Sequence, residues 1–227
     1  FQFPNPGVRL RLLLLCLGFS LRLIGLGQES FWYDEIHSIK IAKLPTLSAI
    51  WDRVQHDVHP PLYFALLHYW IQWFGTSEFA ARLLSALCST LALLGIYTWG
   101  RTLRLPHKTC LWGVVFFALN PLAVWYAQQV RMYSLELFLG MLHFTCTAWL
   151  FRQPFSILTS NLYRRFTAFA LFIVWIATGW LLLWTHFFGV FFIAANCLWA
   201  LALSIRCWLT APTPAFRQRA SWAPLFA

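Results

Sequence analysis

The chain has 227 residues, of which 60% are hydrophobic, 19% aromatic and only 11% charged. A soluble domain of this length has no core large enough for so much apolar surface, which excludes an ordinary water-soluble fold and points to an all-α polytopic membrane protein. The net charge of +10 does not indicate a nucleic-acid partner, because the basic residues come one loop at a time, as membrane-topology signals do.

Arg9 and Arg11 introduce the first apolar run, and a span is expected near residues 10–26. At ~1.5 Å per residue that run is marginally long enough for a ~30 Å hydrocarbon core. It carries no clear small-x-small cleavage site, so it reads as a retained anchor and not as a signal peptide. Arg22, near its far end, is expected to snorkel to the interface.

An outer loop follows over residues 28–77, and its polar centre reads FWYDEIHSIKIAKLPTLSAIWDRVQHDVHPP from Phe31 to Pro61. Five of the chain's seven acidic residues lie between Glu29 and Asp57, among His37, His56 and His59. A chain that gathers its few carboxylates in one segment is expected to place its chemistry there. Two short helices, over 46–55 and 60–74, are expected to lie in the membrane interface. In the second, His68 and Gln72 share one face.

Further spans are expected near 78–103, 110–126, 134–150, 166–184 and 190–205, about six in all. The last two come from one apolar run of about 40 residues, or ~60 Å as helix, twice the bilayer core. Its substantial polar interruption is Thr185-His186-Phe187-Phe188-Gly189, where the chain must turn. With these spans, Arg9, Arg11, Arg101, Arg104, Lys108, Arg152, Arg164, Arg165, Arg206, Arg217 and Arg219 fall on one side with no acidic residue. That side is then cytoplasmic, and the carboxylates face out from a plasma or inner membrane.

The six cysteines, Cys16, Cys88, Cys110, Cys146, Cys197 and Cys207, form no CxxC pair and read as free thiols buried in apolar runs. His56, Asp57 and His59, with His37, are a candidate divalent-metal group, although their spacing matches no specific ligand signature.

Three polar clusters reach the outer side: Asp34 with Glu35; Gln128, Gln129, Arg131 and Tyr133; and His186. Carboxylates facing Arg, Tyr and His at the bilayer edge suit a lipid-linked phosphate. Arg supplies a bidentate contact, Tyr and His donate, and a carboxylate serves as general base. Each residue also has a plainer reading. Asp34 and Glu35 can be solvated loop residues, Arg131 an interfacial side chain near Glu136, and His186 a turn histidine.

Four segments resemble one superfamily: FWYDE at 31–35, HPPLYFALLHYWIQWFGTSEFAARLLSAL from His59, ALNPLAVWYAQQVRMYSLELF from Ala118, and WTHFFG from Trp184. They look like the ordered motifs of GT-C membrane glycosyltransferases of the protein O-mannosyltransferase and aminoarabinose transferase type, family 39 and its bacterial relatives. The resemblance implies inverting transfer of a sugar from a polyprenyl-phosphate donor to a glycan, lipid or protein acceptor at the extracytoplasmic face. It implies Asp34 as the base, Glu35 as a second catalytic carboxylate, and His59, Tyr63, Gln129, Arg131, Tyr133 and His186 as substrate-binding residues. Gln129 departs from the pattern, because many relatives carry Glu there. Relatives also have more spans and often a soluble C-terminal domain, so this chain is expected to be a fragment or truncated product carrying the N-terminal catalytic module. A transporter or flippase-like protein, and a non-catalytic membrane subunit, are the rival readings.

Overall fold

The structure, a computed structural model, describes residues 6–151 and 162–209. Arg152, Arg217 and Arg219, and the side chains of Arg164 and Cys207, lie outside the described residues. The described chain forms helices and turns: α1 (Pro6–Leu23), α2 (Tyr33–Ala42), α3 (Leu47–Val54), α4 (Leu62–Phe74), α5 (Glu78–Thr102), α6 (His107–Ala118), α7 (Pro121–Ala127), α8 (Tyr133–Leu150), α9 (Leu162–Thr185) and α10 (Gly189–Leu209).

Among the described residues, three segments are long and apolar enough to cross a membrane: Glu78–Thr102, Arg165–Thr185 and Gly189–Arg206. A fourth is present if α6 and α7 count as one span, and these two are bent by 63°. The continuous helix expected over 110–126 is therefore broken. The cause is local: Pro121 has no N–H to extend α6, and the Asn120 side chain instead caps α7 by accepting from the Ala123 N–H at 3.1 Å. The other two expected spans are helices as well. α1 carries Arg9, Arg11 and Arg22, and α8 carries Glu136, His143, Thr145 and Thr147, which lowers its apolar character.

The polar residues of α8 have a structural use. α8 packs against α5 on one side and α9 and α10 on the other. His143 Nδ1 lies 3.0 Å from Thr178 Oγ1, and Thr147 Oγ1 accepts from Trp175 Nε1 at 2.8 Å and from Asn196 Nδ2 at 2.6 Å. Between apolar helices in lipid, such bonds and close packing replace the hydrophobic driving force. Gly95 of α5 allows the close approach to α8, since a Cβ there would meet Met141 Cβ at 2.7 Å.

α2, α3 and α4 form a cap against one end of α5 and α9, with Ile39, Ile50, Phe64, Leu67 and Met132 in its core. Both short outer-loop helices thus form near their expected bounds, and Thr46 caps α3 by accepting from the Ala49 N–H at 3.2 Å. The His68 face of α4 is packed inward, His68 Nδ1 donating to the Ala42 carbonyl at 2.8 Å. Cys88, Cys110 and Cys146 are buried, but Cys16 and Cys197 lie exposed on apolar helix faces.

Arg22 overturns its expectation: it is fully buried and does not snorkel. α1 ends at Leu23 and the following turn doubles back, with Gln128 Nε2 donating to the Arg22 and Ile24 carbonyls at 3.2 and 2.7 Å. Arg22 consequently sits among α5 and α6 side chains.

The α9–α10 turn is tight. A Cβ at Gly189 would approach the Leu182 carbonyl oxygen to 2.5 Å. Gly189→Ala should therefore force the turn open, displace His186 and cost about 1–3 kcal/mol. A clear fall in the thermal unfolding midpoint of the purified protein checks this, and an unchanged midpoint would show that the turn has slack.

Candidate functional site

The N-terminus of α2 supplies Asp34 and Glu35. The two neighbours have opposite surroundings, because successive helical positions point about 100° apart. Glu35 is fully buried. Its Oε1 accepts from Arg82 Nε at 2.9 Å and from the Val130 N–H at 2.9 Å. Its Oε2 accepts from Arg82 Nη2 at 2.7 Å and from the Trp32 N–H at 3.3 Å. Both oxygens are engaged, so Glu35 is an anchor for Arg82 and the 128–132 loop and leaves no free lone pair for an acceptor hydroxyl. Asp34 is partly exposed, and its carboxylate has no partner among the described residues. Through the Val130 N–H, the Glu35 side chain ties the start of α2 to the loop that carries Arg131.

Arg131 is buried, and its Nη2 donates to His59 Nε2 at 2.9 Å. A guanidinium has only donors, so His59 must accept through Nε2 and carry its proton on Nδ1. That Nδ1 lies 3.0 Å from Asp57 Oδ1, and Asp57 Oδ2 lies 2.6 Å from His37 Nε2. Asp57 also accepts from the His59 N–H at 3.1 Å. Burial alone would raise the Asp57 carboxyl, but the bonds from His59 and His37 hold it below its ordinary range. The loop residues that suggested a metal group are in fact a relay, His37–Asp57–His59–Arg131, and His56 is exposed outside it. Among the described residues no three His, Cys, Asp or Glu side chains converge as metal ligands.

His186, in the α9–α10 turn, lies against both His59 and Tyr133, with ring centroids 5.5 and 5.6 Å away. Its Nδ1 accepts from the Phe188 N–H at 3.1 Å, which leaves Nε2 as the protonated nitrogen. Burial, reinforced by His59 and Arg131, lowers its pKa below the usual histidine value. The Tyr133 ring lies under Arg131, with Cζ 5.9 Å from its centroid. Arg131 Nε and Gln129 Oε1 are buried without hydrogen-bond partners, and no carboxylate is within ion-pair distance of Arg131 among the described residues.

Of the expected site residues, His59, Arg131, Tyr133 and His186 are brought together from three separate segments, with Gln129 buried two residues before Arg131. Tyr63 is not: it is fully buried, with its hydroxyl 3.2 Å from Ser85 Oγ, and burial pushes its phenol upward. It is a core residue because α4 is packed on both sides. Arg82, Asp57 and His37 were missed as organising residues. The signal for Arg82 was present, since a lone Arg within an apolar span calls for a buried acidic partner.

Comparison with protein-family models, with curated proteins and with solved structures finds no match.

Removing Arg82 would leave Glu35 as a buried, unpaired carboxylate. Arg82→Met should cost about 3–5 kcal/mol, and a paired Glu35→Leu/Arg82→Met protein should recover part of it. Detergent-solubilised thermal melts of the single and double variants test the coupling.

The lowered His186 pKa has a definite sign. The unfolded chain takes up a proton near pH ~6.5 that the folded chain still refuses, so stability is full above that pH and declines below it. The unfolding midpoint should fall as pH drops from about 7 to about 5, and His186→Gln should make that decline shallower. An identical slope in the variant would assign the decline to another group.

Proposed function

We propose that this chain is the catalytic module of a membrane glycosyltransferase of the GT-C type, acting on a polyprenyl-phosphate sugar donor. The observation that carries the reading is Arg131: a buried guanidinium without a carboxylate partner, with Nε unpaired, set among His59, Tyr133 and His186. A buried cation of this kind needs an anion, and a phosphate supplies bidentate oxygens for it. His186 Nε2–H adds a donor for the charge that builds on the leaving phosphate.

In this reading Asp34 is the base. The acceptor hydroxyl gives its proton to the Asp34 carboxylate as its oxygen attacks the anomeric carbon. The bond from that carbon to the phosphate oxygen breaks, the polyprenyl phosphate leaves with the electron pair, and the configuration inverts. Glu35 does not act on substrate here. It ties the start of α2, which carries Asp34, to the loop that carries Arg131. The Asp57–His59 pair fixes the outer face of Arg131 and orients its remaining donors.

The membrane arrangement that goes with this reading has six crossings, by α1, α5, the broken α6–α7 pair, α8, α9 and α10. The Arg-rich connections then face the cytoplasm and the site faces the other side. The order of the four resembling segments, and the absence of acidic residues among the basic loops, support it. Transport is the reading that a broken helix favours, and α6–α7 is such a helix. Its break lacks a paired counterpart among the described residues, and no ionisable side chain sits in it.

Asp34→Asn should lower transfer from a labelled polyprenyl-phosphate sugar by roughly 10²–10⁴-fold, the usual contribution of a positioned base, while leaving donor binding intact. The full-length protein in lipid nanodiscs is the material to use. Transfer at the wild-type rate by the variant would remove Asp34 as base, and absence of any transfer by the wild type across donors and acceptors would remove the reading.

A further inference from the structure

Arg22 is another buried cation without a carboxylate partner among the described residues, and it lies outside the Arg131 cluster. Its Nε donates to Ser89 Oγ at 2.8 Å and its Nη1 to the Gly18 carbonyl at 2.8 Å. Its Cζ stands 5.7 Å from the Phe117 ring. No carboxylate pairs with it among the described residues, and Nη2 is buried with no hydrogen-bond partner. A buried charge in this state is strongly unfavourable unless something else supplies the opposite charge.

Ser89 and Phe117, the two side chains that touch the guanidinium, are also a wall of a cavity of about 190 Å³. Asn120, Leu122, Tyr126 and Tyr133 are among its other lining residues. The mouth is at Asn120 and Leu122, both exposed, beside the bend between α6 and α7. The lining contains no carboxylate. It does contain free donors. Asn120 uses only its carbonyl oxygen to cap α7, so its amide hydrogens are unspent. The Tyr126 and Tyr133 hydroxyls make no hydrogen bond to described residues, and Ser89, which accepts from Arg22, keeps its own hydrogen to give. Around these donors the walls are apolar, as Phe117, Leu122 and Leu137 show.

We propose that this cavity is a second anion site, separate from the Arg131 cluster, which takes a phosphate group carried by a lipid headgroup, with Arg22 as the counter-charge behind Ser89. Apolar walls at the mouth suit the first carbons of acyl or prenyl chains, and the donors inside suit phosphate oxygens. Free inorganic phosphate has the same recognition chemistry without the chains. Tyr133 lines this cavity and also lies against His186, so occupancy here would bear on the position of the Tyr133 ring.

The test uses the whole chain purified in neutral detergent and titrated with dioctanoyl phosphatidate, dioctanoylglycerol and inorganic phosphate. The phosphatidate should bind saturably and dioctanoylglycerol should not. Arg22→Met, and Ala123→Trp to fill the cavity, should each weaken phosphatidate by about tenfold or more. Tyr126→Phe should weaken it less, and Asp34→Asn should leave it unchanged, which separates this site from the transfer reaction. Competition by inorganic phosphate at matching concentration would identify the free anion as sufficient, and its failure to compete would assign the chains a role; either keeps the site. If Arg22→Met does not fold, Ala123→Trp decides alone. Wild-type affinity in Ala123→Trp, equal binding of dioctanoylglycerol, or loss of binding through Arg131→Gln instead of Arg22→Met would overturn the proposal.

Discussion

The buried Glu35 carboxylate is the interaction on which the rest of the structure hangs. It accepts from Arg82 twice, from the Val130 N–H and from the Trp32 N–H, so its acceptor capacity is used and its charge is matched. Arg82 is equally committed. Its remaining hydrogens go to the Leu26, Glu29 and Ser30 carbonyls at 3.0, 2.8 and 3.3 Å. One ion pair therefore ties together the turn after α1, the start of α2, the N-terminal part of α5, and the loop before α8. Buried pairs are unfavourable unless every lone pair and proton is satisfied, and this one meets that condition.

α5 extends the same logic along its length. Arg82, Ser85 and Ser89 lie at helical spacing on one face, and each holds a different partner. Ser85 Oγ donates to the Arg131 carbonyl at 3.2 Å and faces the Tyr63 hydroxyl, while Ser89 accepts from Arg22. In a medium with no water to compensate a stray polar group, such a ladder specifies register between helices that apolar packing alone would leave loose. The α2–α4 cap, the Arg131 loop and α1 all take their positions from it.

Two buried arginines, Arg131 and Arg22, have no carboxylate partner among the described residues. Arg82 shows what a structural arginine in this fold looks like: paired and saturated with acceptors. The contrast is the physical reason for reading the other two as ligand-facing. The relay through Asp57 and His59 satisfies one edge of Arg131 only, and it directs the guanidinium without neutralising it.

The helices with strong apolar runs, the paired short helices between α1 and α5, the turn at His186 and the gathering of His59, Arg131 and His186 were all legible from residue order, because length, periodicity and charge placement are local quantities. The sequence by itself determined that this is a helical chain with helices long and apolar enough to cross a membrane, and that its polar residues are concentrated in a few short segments. Only the tertiary structure decided which acid is free and which is spent. Asp34 and Glu35 are neighbours of the same type, and the difference arises from Arg82 and Val130, 47 and 95 residues away. It also decided that Tyr63 is core, that α6 and α7 bend apart, and that Arg22 is buried. These depend on what packs against a side chain, and in a bundle of apolar helices that neighbour comes from another helix whose face the local pattern does not name.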